Sequence, residues 1–262
     1  MIKRELHIFL TALMFYTRIP CPKWIDHNAD YINLSTRYFP IMGWIVGGIY
    51  GGVILLSLYL FPPILSILLG VVSSVLLTGA FHEDGLADVC DGFGGGWTKE
   101  KILLIMKDSR VGTYGVVGVI LVFSLKISAT DGLLNSSGDS LLFMLLIISS
   151  HSLSRTMAVL IIYFQTYAGD DQDSKAKPVA GGISFLNLLI ALALGITPFI
   201  IFLLLTDLLF SFVLVPMLLI TFHLKRYFKK WIGGYTGDCL GATQQVNEVV
   251  FLLGLLALWK FI

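Results

Sequence analysis

Seven stretches of the chain are predominantly apolar and long, at about 39–61, 63–81, 111–130, 140–164, 183–205, 207–222 and 240–259. About 20 apolar residues cross a bilayer as a helix. Inside lipid the backbone must satisfy its own hydrogen bonds, which leaves only helices or a closed barrel. The apolar runs are continuous rather than alternating, and that selects helix. Pro62–Pro63 separates the first two stretches, because proline does not continue a helix begun before it, and Thr206–Asp207 divides a run too long for one span. The expected fold is therefore all-α: a polytopic transmembrane helix bundle of about seven spans, forming a single integral membrane domain over residues 1–262. Only 13% of residues are charged, against about 25% in soluble domains, and a water-soluble fold is excluded.

The N-terminal run Leu6–Tyr16 follows Lys3 and Arg4, the charge pattern of a secretory signal. Arg18, Pro20 and Pro22 come next instead of a small-residue cleavage site, so the run reads as a retained short helix, interfacial or partly inserted. Cys21, Cys90 and Cys239 are too few and too scattered for a disulfide framework or a zinc site. A net charge of +1 with no strongly basic patch excludes nucleic acid as a partner.

Loop charges orient the bundle. Lys23 and Arg37, then Lys99, Lys101, Lys107 and Arg110, then Lys175 and Lys177, then Lys225, Arg226, Lys229 and Lys230 all fall in one alternating set of connections. The other set holds Pro62–Pro63, Asp131, Asp139 and Asp207, without lysine or arginine. The positive-inside rule places the basic set in the cytoplasm. Cytoplasmic loops are expected at about 82–110, 165–182 and 223–239, and the acids, glycines and amides cluster on that same face.

The segment His82-Glu83-Asp84-Gly85-Leu86-Ala87-Asp88-Val89-Cys90-Asp91-Gly92 is the most unusual. On a helix, Asp84, Asp88 and Asp91 share one face at i, i+4 and i+7, neighbours about 5–6 Å apart. Such carboxylates repel unless a cation bridges them, and oxygen-only ligation selects a hard ion, magnesium first and manganese as its substitute. Glu83 is the fourth candidate ligand. Magnesium commonly binds through one or two carboxylates plus substrate phosphates, and Gly94 and Gly95 in the run Gly92–Gly96 let a backbone approach phosphate closely. Lys107-Asp108-Ser109-Arg110 follows, with Arg110 able to clamp a phosphate oxygen. His151 and Arg155 lie one turn apart inside an apolar segment, where arginine costs about 2.5–3.5 kcal/mol and normally serves a site. Asp238, Gln245 and Glu248 recur at approximate helical spacing near the start of the last segment, and with Lys177 they complete the candidate substrate-binding residues.

FHEDGLADVCDGFGGG, KDSRVGTYG and GGYTGDCLGATQQVNE, in that order along nearly the whole chain, resemble the cobalamin synthases, the adenosylcobinamide-GDP ribazoletransferases. Thr17-Arg18-Ile19-Pro20, Tyr38-Phe39-Pro40 and His151-Ser-Leu-Ser-Arg155 support the resemblance. It implies a magnesium-dependent transfer at the cytoplasmic membrane of prokaryotes. The corrinoid phosphate of adenosylcobinamide-GDP is joined to α-ribazole or its 5′-phosphate, with release of GMP. On that reading Asp84, Asp88 and Asp91 hold the metal, and Arg110 and Arg155 clamp phosphate. His82 and Asp108 are the two candidates for the base that deprotonates the attacking hydroxyl. The implied partners are these small substrates and membrane lipid, and a homo-oligomer stays open.

Two other classes compete. Asp88-Val-Cys-Asp91-Gly92 matches the opening of the CDP-alcohol phosphotransferase motif, but Phe93–Gly96 departs from its continuation. A transporter would be expected to show inverted repeats with a midplane site, and the sequence shows no repeat.

Overall fold

The computed structural model describes residues 2–22, 24–25, 29–169 and 182–262. Lys23, Asp170, Asp171, Asp173, Lys175, Lys177 and Pro178 lie outside the described residues. The helices in chain order are α1 (Ile2–Tyr16), α2 (Ala29–Ser35), α3 (Phe39–Ser57), α4 (Pro63–Thr78), α5 (Phe81–Gly95), α6 (Lys99–Met106), α7 (Thr113–Ser137), α8 (Ser140–Phe164), α9 (Phe185–Leu205), α10 (Leu214–Ile232) and α11 (Gly237–Leu258). Six helical stretches are long and apolar enough to cross a membrane, and α4 with α5 makes a seventh if the pair is one broken span. The protein is a multi-pass helical membrane protein.

Side-chain caps set several helix starts. Asp139 accepts from the Leu142 amide at 2.9 Å to open α8, and Thr236 accepts from the Cys239 amide at 3.3 Å to open α11. Both satisfy an amide that the first helical turn leaves without a partner. Pro63 occupies the first turn of α4, where the missing N–H costs nothing.

The apolar stretch at 63–81 departs from the expected uninterrupted span. Helix α4 ends at Gly79 and α5 leaves at 89° to it. Gly79 and Ala80 are both left-handed, at φ 68° and 59°, which for alanine costs about 1–2 kcal/mol. Arg18 lies over this corner: its amide donates to the Leu77 carbonyl at 2.7 Å, and a Cβ on residue 79 would overlap its guanidinium. The stretch 82–110, expected as a loop, is mostly the two helices α5 and α6.

Helices α8 and α11 are buried along most of their length and form the centre, while α7, α9 and α10 expose outward faces. Helix α3 lies against α8 through Gly43, Gly47 and Gly51, whose added Cβ atoms would run into His151, Ile148 and Met144. Small residues at this spacing let two backbones touch.

Two apolar cores result. One gathers Ala158, Val159, Ile161 and Ile162 of α8 with Cys239 and Leu240 of α11; the other gathers Phe143, Leu146 and Ile147 with Phe251, Leu252 and Leu255. Between them lies a polar layer, Ser149 to Thr156 on α8 and Thr243 to Glu248 on α11, nearly all of it buried. Polar groups in such a place must find partners, and theirs come from the two helices themselves and from α3, α5, α7, α9 and α10.

Candidate active site

Helix α5 carries two sets of groups that the fold separates. Its contact with α11 is backbone against backbone. A Cβ on Gly85 would come within 2.9 Å of the Asp238 Cα, and one on Gly241 within 3.1 Å of the His82 carbonyl oxygen. This close crossing brings Asp238 electrostatically onto Asp88, which also feels Asp84 and Asp91. Four carboxylates therefore share one region, as the helical spacing predicted for three of them. Among the described residues, no three acidic, histidine or cysteine side chains converge tightly enough to close a metal shell alone.

Asp91 has a further task that its spacing did not announce. Its two carboxylate oxygens accept from the amides of Gly112 at 2.6 Å and Gly115 at 2.8 Å, in the first turn of α7. The negative charge also meets the positive end of the α7 dipole. A Cβ on either glycine would approach an Asp91 oxygen to 2.5 Å, so glycine stands at both. Asp91→Asn keeps one acceptor but turns an NH2 group toward the other amide. The expected cost is about 1–3 kcal/mol of stability, read as a lower unfolding temperature in detergent.

The glycines after Asp91 are helical up to Gly95 rather than an open loop. They make room for neighbours: added Cβ atoms would meet Met106 at Gly92 and the Tyr114 ring at Gly94. Asp108 and Arg110 pair with each other in solvent, Nε to Oδ1 at 3.0 Å and Nη2 to Oδ2 at 2.7 Å. The hydrogen bonds from Arg110 hold the Asp108 carboxyl down to about 2.

The second set is buried. His82 and Glu83 of α5, Lys126 of α7, His151 and Arg155 of α8, and Gln244, Gln245 and Glu248 of α11 surround a cavity of about 10 Å³, close to the smallest that holds one water. Lys126 Nζ lies 2.5 Å from Glu248 Oε1, with both side chains at most 3% exposed. Glu248 Oε2 is also met by His151 Nδ1 at 3.2 Å and by the Gln244 carboxamide. Gln245 accepts from Lys126 at 3.2 Å and donates to Glu83 Oε1 at 2.9 Å.

Arg155 is 1% exposed. Its Nη1 donates to the His151 carbonyl at 2.8 Å, and its guanidinium carbon sits 5.6 Å from the Phe39 ring centre. No carboxylate of the described residues stands within ion-pair distance of it. Phe39 also stacks on His82, at 5.6 Å and 18°. Arg155 Nε, His82 Nε2, Glu83 Oε2 and Gln244 Oε1 are buried without hydrogen-bond partners among the described residues. Unsatisfied buried groups at this density mark a place where a ligand or water completes the set.

Of the candidate residues, the fold thus gathers His82, Glu83, Arg155, Gln245 and Glu248 into the chamber. Asp84, Asp88, Asp91 and Asp238 lie along the α5–α11 crossing, and Asp108 and Arg110 point outward. Lys177 lies outside the described residues. Sequence reasoning missed Lys126, although a lone lysine inside an apolar run carries the same signal that marked Arg155. It also missed Phe39 as the platform under His82 and Arg155, for which an isolated aromatic gives no signal.

The profile of a family described as cobalamin-5-phosphate synthase matches residues 8–256. An adenosylcobinamide-GDP ribazoletransferase from Shewanella pealeana is 43% identical over 257 residues, covering 98% of this chain and 97% of that protein. One from Leptospira interrogans is 41% identical over 267 residues, covering 100% of this chain and 99% of its own. No solved structure matches the chain.

Proposed function

The chain belongs to the cobalamin-5-phosphate synthase family, and we propose on that footing that it is an adenosylcobinamide-GDP ribazoletransferase acting in cobalamin biosynthesis. It joins the corrinoid phosphate of adenosylcobinamide-GDP to α-ribazole or its 5′-phosphate and releases GMP. The observation that carries this reading is Arg155: a buried guanidinium with no carboxylate at ion-pair distance among the described residues, beside an acidic helix, calls for an anionic oxygen from outside the chain.

A ribose hydroxyl attacks the corrinoid-bearing phosphorus, the new P–O bond forms, and the bond to the GMP oxygen breaks. Arg155 balances charge on the reacting phosphoryl oxygens. Of the two candidate bases, His82 is favoured. Its Nε2 has no partner among the described residues and lies at the chamber, whereas both carboxylate oxygens of Asp108 are taken by Arg110 in solvent, away from the chamber. Glu248 is taken up by Lys126, His151 and Gln244, so its task is to hold the chamber rather than to bind substrate.

Magnesium suits the carboxylates of the α5–α11 crossing. Asp84 and Asp88 are the side chains best placed to hold it, with Asp238 opposite and Asp91 partly engaged by α7. Because these residues do not close a shell alone, diphosphate oxygens would complete it, as is usual for this ion. When bound, the ion supplies neutralisation of diphosphate and leaving-group charge.

The membrane is the prokaryotic cytoplasmic membrane, with the active face inward. Phe93 at the end of α5 packs on Tyr227 and Phe228 near the end of α10. Helix α10 extends to Ile232, through most of the stretch expected as a loop at 223–239. The basic residues of α6 and of the last turns of α10 therefore lie at the same end of the bundle, in keeping with the positive-inside rule for one cytoplasmic face.

The test is GMP release by purified protein in detergent, given adenosylcobinamide-GDP and α-ribazole 5′-phosphate, with and without magnesium. Wild type should release GMP with a coupled corrinoid product only when magnesium is present, and Asp84→Asn should lower the rate at least about a hundredfold. A folded wild type that makes no corrinoid product would overturn the assignment, and CDP-alcohols would be tried next.

A further inference from the structure

The proposed chemistry gives Lys126 no task, yet its ammonium is buried in the middle of α7, where lysine costs about 2.5–3.5 kcal/mol to insert. Its two contacts fix a neighbouring group. Lys126 can only donate hydrogen bonds and an ionised Glu83 can only accept them. Gln245 stands between them, so its carboxamide has one orientation that satisfies both: Oε1 toward Lys126 at 3.2 Å, Nε2 toward Glu83 Oε1 at 2.9 Å. Glu83 is thereby held by one oxygen while the other, Oε2, is buried with no hydrogen-bond partner among the described residues. Glu83 lines the same cavity as His82 and Arg155.

We propose that Lys126 is a positioning residue: through Gln245 it aims the free oxygen of Glu83 into the chamber, with Glu248 as its resident counter-charge. This rests on the reading of the chamber as part of the catalytic centre. The chain of contacts runs across three helices, from Glu248 on α11 to Lys126 on α7, back to Gln245 on α11 and on to Glu83 on α5. Helix α5 also carries the carboxylates, so a change at Lys126 is felt where phosphate is held.

A purely structural ion pair behaves differently. Removing one partner of a buried pair leaves a bare charge and is strongly destabilising, whereas replacing both by neutral groups is often tolerated. Four variants separate the cases: Lys126→Met, the double Lys126→Met with Glu248→Gln, Glu83→Gln, and the three substitutions together. Lys126→Met alone should melt well below wild type. The double variant should regain most of the melting temperature, but its kcat for GMP release should stay at least about tenfold down with KM little changed. Glu83→Gln should lower kcat to a similar extent, and adding it to the double variant should cost little more, because the residues act as one chain.

Recovery of wild-type kcat in the double variant would overturn the proposal, as would a full additional loss from Glu83→Gln. The same cycle read as melting temperature needs no substrate. Coupling between Lys126→Met/Glu248→Gln and Glu83→Gln supports the chain of contacts, and strict additivity overturns it. A failure of the functional reading shows separately, as wild type that releases no GMP.

Discussion

Arg155→Met should yield a folded protein, at least as resistant to heat in detergent as wild type, whose transferase rate has fallen by about a hundred- to a thousandfold. The two halves of this result have one cause. The guanidinium is 1% exposed, bonds among the described residues only to His151 of its own helix, and there leaves Nε without an acceptor. Desolvating such a charge costs several kcal/mol, and Glu248 and Glu83, which lie beyond ion-pair distance, offset only part of it. Methionine fills similar space without that penalty, and Glu248 keeps its partners Lys126, His151 and Gln244. A group that weakens the fold and is nevertheless present is accounted for by what it does to a ligand, and removing it takes away charge stabilisation that water in the site cannot restore. The measurement is a melting curve beside GMP release on one preparation. A lower melting temperature with full activity would make Arg155 a structural residue.

The largest structural effect is expected from Gly43→Leu. A Cβ at residue 43 would overlap the backbone carbonyl of His151 and come within 2.7 Å of the Ser152 Cα. Flexible side chains can yield to a new methyl group, but here the obstacle is the main chain of the central helix. The two helices must separate, and that opens the contact lines of both apolar cores and displaces His151 from Glu248. Overpacking of ordinary sites costs about 1–3 kcal/mol; against backbone the cost should exceed that, and the variant should fail to accumulate or should lose tertiary structure in detergent. Gly48 is the internal control, because a Cβ there meets nothing within 4 Å. Gly48→Leu, which adds an apolar group to the outer face of the same helix, should melt like wild type.

The carboxylate spacing of α5 was legible from the order of residues, and so was the cost of burying His151 and Arg155 one turn apart, because both follow from helical periodicity and from the penalty on charge in an apolar run. Asp91 shows where that reasoning stops. Its place at i+7 from Asp84 was clear, but its two hydrogen bonds are to Gly112 and Gly115, partners that exist only because α6 turns the chain back. Lys126 could be marked as costly, yet its pairing with Glu248, 122 positions away (248 − 126), depends on which faces of α7 and α11 meet.

The sequence by itself determined that the chain crosses a membrane as helices, where its main apolar stretches fall, and to which family it belongs. Those properties rest on transfer free energy and local repeat, which are summed along the chain. Only the tertiary structure decided the 89° break between α4 and α5, the backbone contact of Gly85 with Asp238, and the division of α5 between the carboxylate crossing and a buried charged chamber. These depend on how closely two helices approach and at what angle, and steric fit between distant segments sets that distance and angle.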